Sequence, residues 1–255
     1  MISNKKELIC KLLKGIETGD PESISVVNEK KYIQHNPQTH EGSEGLAELF
    51  KRLSKTSPRV NIVRIFEDDD FVFAHTEYDF STRNIGFEIF RFEDGQAVEH
   101  WDNIQKRLGP NASGYTMVDG ETEVTDHEMT ESNRMVIQSF VDDVLICGRI
   151  EKLGDYINHK LYREHNPCFG NDLAPLSGAL SKFIDNDSIS IRYEKSHRLL
   201  AEGSFVLSVC EGHANQVPSS FFDLYRLKDG EIVEHWDTTE TIPPGNKWKN
   251  ESGKF

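Results

Sequence analysis

The sequence predicts an α+β protein made of two similar units, because it contains a long internal repeat and a repeated order of elements. Residues 87–102 (FEIFRFEDGQAVEHWD) and 222–237 (FDLYRLKDGEIVEHWD) are identical at nine of sixteen positions. In each half, apolar residues first recur at helical spacing and then alternate with polar residues, as in strands. Helices followed by a strand meander indicate an antiparallel sheet covered by helices on one face.

Length, charge and cysteine content limit the classes of protein. A chain of 255 residues is long enough for two domains of about 125 residues each. The net charge of −14 repels phosphate backbones and no Lys/Arg-rich run offsets it, so we expect no nucleic-acid partner. Four widely spaced cysteines, no secretory leader pattern and no long apolar stretch predict a reduced, cytoplasmic protein without a membrane partner.

The first unit is predicted to begin with helices and to end with strands. Apolar residues recur at helical spacing from Leu8 to Ile16, and Asp20 before Pro21 favours the start of a short second helix. An apolar stripe predicts a third helix that begins near Ser43; it comprises Leu46, Leu49, Phe50 and Leu53. Strands are predicted at 60–66, at 71–80 and in the hairpin 87–102.

The second unit repeats this order and sets the expected domain boundaries. A helix at about 135–148 comes first, Leu173, Leu176, Leu180 and Phe183 mark a covering helix, and strands are expected from Ile189 onward. We therefore expect unit one at 1–107, a linker at 108–129, unit two at 130–245 and a tail at 246–255. The linker lacks periodicity, although its Tyr115, Met117 and Val118 suggest that part of it packs on a domain.

The turn at Asp94-Gly95 decides which polar groups of the hairpin meet. A three-residue loop at 93–95 pairs Glu88 with His100. It then places five side chains on one face of the sheet: Glu88, Phe90, Val98, His100 and Asp102. The same face of the second copy carries Asp223, Tyr225, Val233, His235 and Asp237. A two-residue turn would instead place Glu99 and Trp101 beside Glu88.

Two motifs carry a resemblance to a known family. Tyr-x-x-His-Asn-Pro occurs at 32–37 and 162–167, and Asp-Gly-x-x-Val-Glu-His-Trp-Asp at 94–102 and 229–237. Their combination resembles the SnoaL-like branch of the nuclear transport factor 2-like superfamily. The resemblance implies two cone-shaped units, each a curved antiparallel sheet wrapped on about three helices around a pocket. Because single-unit relatives often dimerise through their sheets, it also implies an intrachain pseudo-dimer, and it leaves a further homo-oligomer open.

The resemblance also suggests candidate site residues. Superfamily members include cofactor-free polyketide cyclases, isomerases and dehydratases, and the acid of the cyclases is an Asp a few residues beyond the tryptophan. Gln105 and Glu240 occupy the positions four residues after Trp101 and Trp236, which leaves Asp102 and Asp237 as the better-placed carboxylates. The catalytic candidates are therefore His100, Asp102, His235 and Asp237, since an apolar cavity raises the pKa of a carboxyl group towards the range useful for proton transfer. The ligand-binding candidates are His35, Glu88, Phe90, Trp101, His165, Asp223, Tyr225, Trp236 and Glu240.

Two functions remain open at this point. The first is binding of a small, mostly apolar, carbonyl-containing metabolite, with acid/base catalysis of the isomerase, cyclase or dehydratase type and without a cofactor. No spacing of histidines and carboxylates matches a metal-ligand motif, so we expect no metal. The alternative is a ligand-binding or assembly protein without turnover, in which the polar groups satisfy one another in the core. The two copies need not be equivalent, and Glu240 favours unit two as the site.

Overall fold

The computed structural model describes residues 4–181 and 190–255, which divide into two compact units. Unit one comprises Met1–Lys106 and Pro243–Phe255, and unit two comprises Arg107–Ile242. Each unit contains one five-stranded sheet and its covering helices, so the predicted α+β fold with two similar units is confirmed. The predicted positions of Phe183 and Ile189 lie outside the described residues.

Unit one places its helices before its long strands. Helix α1 (Asn4–Thr18) and a 3₁₀ turn (Pro21–Val26) precede strand β1 (Ile33–Gln34) and helix α2 (Gly42–Leu53). The long antiparallel strands are β2 (Arg59–Asp68), β3 (Phe71–Asp79), β4 (Arg83–Glu93) and β5 (Gln96–Lys106). The sheet order is β1-β5-β4-β3-β2, with β1 parallel to β5, so the loop around His35 starts beside the last strand.

Unit two repeats the arrangement with one difference in its first helix. Helix α3 (Thr130–Phe140) continues into a π-helical segment (Val141–Ile146), followed by α4 (Leu153–Tyr156), β6 (Arg163–Glu164) and α5 (Leu173–Leu180). The long strands are β7 (Ile191–Glu202), β8 (Phe205–Ala214), β9 (Val217–Lys228) and β10 (Glu231–Thr241). The order is β6-β10-β9-β8-β7, which matches unit one strand for strand.

The first helix of each unit packs an apolar stripe on the inner face of its sheet. The buried positions of α1 are Ile9, Leu12, Leu13 and Ile16, and those at the same spacing in unit two are Ile137, Phe140, Val141 and Val144. Each buried side chain of this kind contributes about 1.5–3 kcal/mol. The opposite face of the first sheet is also apolar and buried, with Phe73, Phe87, Ile89 and Trp101. The expected sheet-to-sheet packing of the two units stays a prediction.

The hairpin of each unit contains a two-residue turn and a β-bulge. Glu93 lies opposite Gln96, and both turn residues, Asp94 and Gly95, have positive φ angles (51° and 81°), as a type I′ turn requires. The predicted three-residue loop, and the pairing of Glu88 with His100 that followed from it, are therefore wrong. The bulge skips Val98, however, and shifts the register by one residue, so that Glu88 lies opposite Asp102.

The bulge decides which residues of the last strand share the inner face. It brings His100 and Asp102 to the face of Glu88, as the sequence predicted, although by a different route. The same shift occurs at Val233 in unit two, where Asp223 lies opposite Asp237. The expectation that Val98 and Val233 share this face is wrong, because Ala97 and Ile232 join the inner apolar clusters instead.

The segment that follows β5 packs with unit two, and the segment that follows β10 packs with unit one. Each contains the sequence Asn-x-Ser-Gly, at 111–114 and at 250–253. The side-chain amide of Asn111 donates to the carbonyl oxygens of Glu164 (2.6 Å) and Asn166 (3.3 Å). That of Asn250 donates to the carbonyl oxygens of Asn36 (2.7 Å) and Thr39 (3.0 Å).

These contacts change the expected boundaries. The predicted linker at 108–129 packs with unit two, and the predicted tail at 246–255 packs with unit one. Sequence comparison missed this extension of the repeat because the asparagine lies ten residues after Trp101 but fourteen after Trp236.

Replacing either asparagine should destabilise the unit on which its segment packs. Asn250→Ala leaves two backbone carbonyls of unit one without a donor, which should lower the free energy of unfolding of that unit by about 1–3 kcal/mol. Faster hydrogen–deuterium exchange should then appear around residues 33–40. Asn111→Ala should act on residues 163–170 instead. Asn246→Ala, at an exposed position, is the control. The same exchange pattern in Asn250→Ala and Asn111→Ala would contradict the assignment of the segments.

Candidate active site in unit two

A buried polar cluster lies on the inner face of unit two, where β6, β10 and β9 run side by side. Asp223 and Asp237 are directly opposite each other on β9 and β10. His235 lies beside Glu164, because β6 pairs in parallel with β10 at that point. All four side chains are buried. The cluster therefore brings three carboxyl groups and one imidazole together away from the protein surface.

His235 is held between two carboxylates. Its Nδ1 atom lies 2.9 Å from Oε1 of Glu164, and its Nε2 atom lies 3.2 Å from Oδ1 of Asp223. An imidazole that faces a carboxylate at each nitrogen can satisfy both only by donating from both, as the cation. Burial alone would lower the pKa of His235, but the surrounding carboxylates, Glu164 foremost, raise it well above its usual value. His235 is therefore a fixed positive charge at neutral pH.

The protonation state of Asp237 is controlled differently from that of His235. Both of its carboxyl oxygens lie 2.8 Å from the side-chain amide nitrogen of Asn166. Burial raises the pKa of Asp237 to about 7, repulsion from Asp223 and Glu164 adds to the effect, and His235 and Asn166 oppose it. Within the described part of the chain Asp237 has no lysine or arginine partner. Both protonation states are therefore populated at neutral pH.

Glu164 and three tyrosines complete the polar side of the site. Glu164 accepts hydrogen bonds from the Tyr162 hydroxyl (2.5 Å) and from the backbone N–H of Asn166 (2.9 Å). Burial would raise the pKa of Glu164, but His235 and these donors outweigh it and lower the pKa. Burial and the nearby carboxylates raise the pKa of the three tyrosines, Tyr162, Tyr193 and Tyr225. The tyrosines therefore keep their protons and act as donors.

A narrow, mostly apolar cavity adjoins the cluster. It measures about 30 Å³, which is enough for about two water molecules. Its polar wall carries Tyr162, Asn166, Tyr193, Asp223, Tyr225, His235 and Asp237. Its apolar wall carries Phe140, Leu145, Ile157, Phe169, Leu176, Leu180, Ile191 and Ile232. A more open depression of about 530 Å³ shares Leu145, Leu180, Ile191 and Tyr193 with the cavity and so adjoins it.

The π-helical segment supplies part of this apolar wall. Val144 and Gly148 are four residues apart, whereas the equivalent Ile16 and Gly19 are three apart, so unit two has one extra residue at the end of its first helix. The segment Val141–Ile146 accommodates that residue, and Leu145 lines the cavity. π-Helical segments within α-helices occur frequently at functional sites.

The equivalent cluster of unit one is neutralised by a lysine. The Nε2 atom of His100 lies 2.7 Å from Glu88, and its Nδ1 atom lies 2.9 Å from the side-chain oxygen of Gln34, which replaces Glu164. Asp102 accepts from Asn36 (2.5 Å), and its Oδ1 atom lies 3.6 Å from the buried amino group of Lys254. Unit one thus has one carboxylate fewer and one cation more than unit two.

Three potential metal ligands in unit one are already engaged. Ligand atoms of Glu88, His100 and Asp102 lie within 4.8 Å of one another, close enough to share an ion. Each nitrogen of His100 already faces an oxygen, however, and the Lys254 amino group opposes a second cation. The group is best described as a network of ion pairs and hydrogen bonds.

The histidines of the His-Asn-Pro motifs lie on the other face of the last strand. His165 stacks on Trp236 at 4.8 Å, and its Nε2 atom lies 3.0 Å from Glu234, which also pairs with Arg226. His35 stacks on Trp101 in the same way and contacts Glu99. The second nitrogen of each histidine faces a backbone oxygen, that of Thr116 for His165 and that of Gly253 for His35.

The structure brings together some of the predicted site residues and separates others. Glu88, Phe90, His100 and Asp102 share the inner face of unit one, and Asp223, Tyr225, His235 and Asp237 share that of unit two. The placement of five others in the pocket needs correction: His35, Trp101, His165, Trp236 and Glu240. The first four form the stacked pairs, and Glu240 alternates to the face of Trp236 because β10 is regular beyond the bulge.

The sequence reasoning missed Gln34, Asn36, Glu164, Asn166, Tyr162, Tyr193 and Lys254. Residues 34 and 36, like 164 and 166, belong to the repeated motif, and the Gln34/Glu164 difference inside it was a usable signal. Their contact with the last strand depends on a parallel pairing between segments about 70 residues apart, which no local pattern reports.

The raised pKa of Asp237 predicts a pH-dependent effect of Asp237→Asn on stability. A folded-state pKa of about 7 against 3.8 for the free group means that the folded state binds the extra proton, so its stability falls as pH rises through this window. Asparagine removes that loss. Relative to the wild type, the variant should gain on the order of 4 kcal/mol between pH 4 and pH 8, measured by urea unfolding. Asp155→Asn, an exposed change in the same unit, is the control, and an equal difference at both pH values would contradict the assignment.

One family model and several solved structures match parts of this chain. In the described residues, no helix is long and apolar enough to cross a membrane, and no curated protein matches the sequence. Among solved structures, TsrD from Streptomyces laurentii is 20% identical (TM-score 0.37) over 41% of this chain and 92% of its own. A candidate polyketide cyclase from Bacillus cereus is 19% identical (TM-score 0.37) over 40% and 74%. A family model described as a SnoaL-like domain matches residues 11–100. Unit one is therefore a SnoaL-like domain, and unit two repeats its motifs and its strand order.

Proposed function

We propose that unit two binds a small, mostly apolar metabolite with a carbonyl group and that Asp237 exchanges a proton with it, without a cofactor. The observation that carries the proposal is a carboxyl group with a pKa of about 7 on the wall of an apolar cavity. A group with this pKa can both donate and accept a proton at neutral pH, which is the requirement for general acid/base catalysis. The reaction class is isomerisation, ring closure or dehydration next to a carbonyl.

The other polar groups of the site have supporting roles in this proposal. His235 is fixed as a cation between Glu164 and Asp223, so it stabilises negative charge and does not act as the base. The Tyr225 ring lies on His235 at 4.9 Å and lines the cavity, so its hydroxyl is the candidate donor to the carbonyl oxygen. Asn166 orients the Asp237 carboxyl through both of its oxygens.

Binding requires the cavity to widen. A volume of about 30 Å³ admits water but not a metabolite of ten or more atoms. The leucines shared with, or adjacent to, the open depression are the side chains that would have to move; they are Leu145, Leu176 and Leu180. A rotamer change of an aliphatic side chain is a common response to a ligand.

Unit one has a structural role in this proposal. Lys254 balances Asp102, and Gln34 replaces Glu164, so the cluster of unit one lacks the excess of carboxyl groups that favours a bound proton in unit two. We therefore assign proton transfer to Asp237 and not to the predicted catalytic residues His100 and Asp102. The competing function is a ligand-binding or assembly protein without turnover, in which the buried polar groups only satisfy one another.

Proton transfer can be tested without knowledge of the natural substrate. A panel of alicyclic and aromatic ketones is incubated with the protein in D₂O, and loss of the α-proton signals is followed by ¹H NMR. At least one ketone should exchange its α-protons faster with the protein than without it. Asp237→Asn should lower this exchange by about 10²–10⁴-fold because the asparagine amide cannot transfer the proton.

The matched control is Asp102→Asn, the same change at the equivalent position of unit one, which should leave the exchange rate unchanged. Saturation-transfer NMR on the same panel separates the two functions. A ketone that binds in unit two without exchange would favour the binding protein, and no binding by any ketone would contradict the proposed substrate class.

A further inference from the structure

Glu164 connects His235 with Asp237, through Asn166, in the unit-two site. One of its oxygens, Oε1, lies 2.9 Å from His235 and accepts the backbone N–H of Asn166 at 2.9 Å. The side chain of Asn166 in turn holds both oxygens of Asp237 at 2.8 Å. The second oxygen of Glu164 accepts from Tyr162. Glu164 is fully buried and does not itself line the cavity, whereas its partners Tyr162, Asn166 and His235 do.

The equivalent position in unit one shows what the fold alone requires. Gln34 makes the same two contacts through its side-chain oxygen, one to His100 (2.9 Å) and one to the backbone N–H of Asn36 (2.9 Å). An amide therefore supports this strand, this loop and this asparagine. The negative charge of Glu164 is an addition that the architecture does not need.

The charge of Glu164 acts on a crowded set of groups. The ionisable groups of the cluster are His235 and Asp237 on β10, Asp223 and Tyr225 on β9, Cys210 on β8, Tyr193 on β7, and Tyr162 and Cys168 on either side of β6. Burial raises the pKa of both thiols, so they are neutral. The tyrosines are neutral donors, so the balance is set by three carboxyl groups against one imidazole. A third carboxylate has no cation to pair with, and the least costly response is for one carboxyl group to keep its proton.

We propose that Glu164 is a positioning residue of the unit-two site: it keeps His235 doubly protonated and Asn166 in place, so that Asp237 is left as the group that exchanges a proton. The inference rests on the proposed function, which it deepens by assigning the origin of the Asp237 proton. The change from Gln34 to Glu164 then accounts for the difference between two copies of one fold.

The experiment is an NMR titration of the full chain, labelled with ¹⁵N in histidine and ¹³C in the aspartate carboxyl groups. In the wild type, the Asp237 carboxyl should titrate near pH 7, and the His235 ring should stay doubly protonated through that point. Glu164→Gln should move both titration steps to lower pH by about one unit or more, because removing a negative charge lowers the proton affinity of the pair. Glu128→Gln removes an exposed carboxylate of unit two and should move neither step.

The outcomes separate this inference from the function on which it rests. An Asp237 carboxyl that titrates near pH 4 in the wild type would contradict the proposed function itself. An unchanged pair of steps in folded Glu164→Gln would overturn the role of Glu164 and leave the function standing.

The reciprocal variant keeps the inference testable if Glu164→Gln does not fold. Gln34→Glu places a carboxylate beside His100 and should raise the titration midpoint of that ring by about one unit. An unchanged His100 midpoint in folded Gln34→Glu would overturn the inference.

Discussion

The structure depends on how each unit neutralises two carboxyl groups that face each other inside the sheet. Glu88 and Asp102 in unit one, and Asp223 and Asp237 in unit two, are directly opposed on neighbouring strands and buried. Like charges in this position destabilise one another, and burial makes each charge costlier. Unit one supplies the Lys254 cation, whereas unit two supplies one imidazolium for three carboxyl groups, and the pKa of Asp237 is raised to about 7.

The β-bulge brings these groups together. A two-residue Asp-Gly turn with regular pairing would place Trp101 opposite Glu88 and turn His100 to the other face. One extra residue in the last strand reverses the alternation, so that histidine and aspartate point to the inside while tryptophan points to the outside. The second histidine of each unit then stacks on that tryptophan and bonds the glutamate beside it. One irregularity therefore sorts two sets of polar residues onto opposite faces of one strand.

The segments after β5 and β10 contact different polar side chains in the two units. Both contain Asn-x-Ser-Gly, and both bond the loop that carries the His-Asn-Pro motif. The residue after the glycine is Lys254 in unit one, where it reaches Asp102, and Tyr115 in unit two, where it contacts His165. A single position after the shared sequence thus accounts for the presence of a buried cation in one unit.

The sequence by itself determined the repeat and the order of helices and strands, because these depend on local periodicity. The shared face of Glu88, His100 and Asp102 was predicted from a three-residue turn, but it arises from a β-bulge. Only the tertiary structure decided the partners of these groups. Glu164 and Asn166 reach the last strand through a parallel pairing of distant segments, and His35, His165 and Glu240 lie on the outer face because of a bulge. Burial depends on all packed elements at once, so the state of Asp237 follows from the assembled unit and not from any motif.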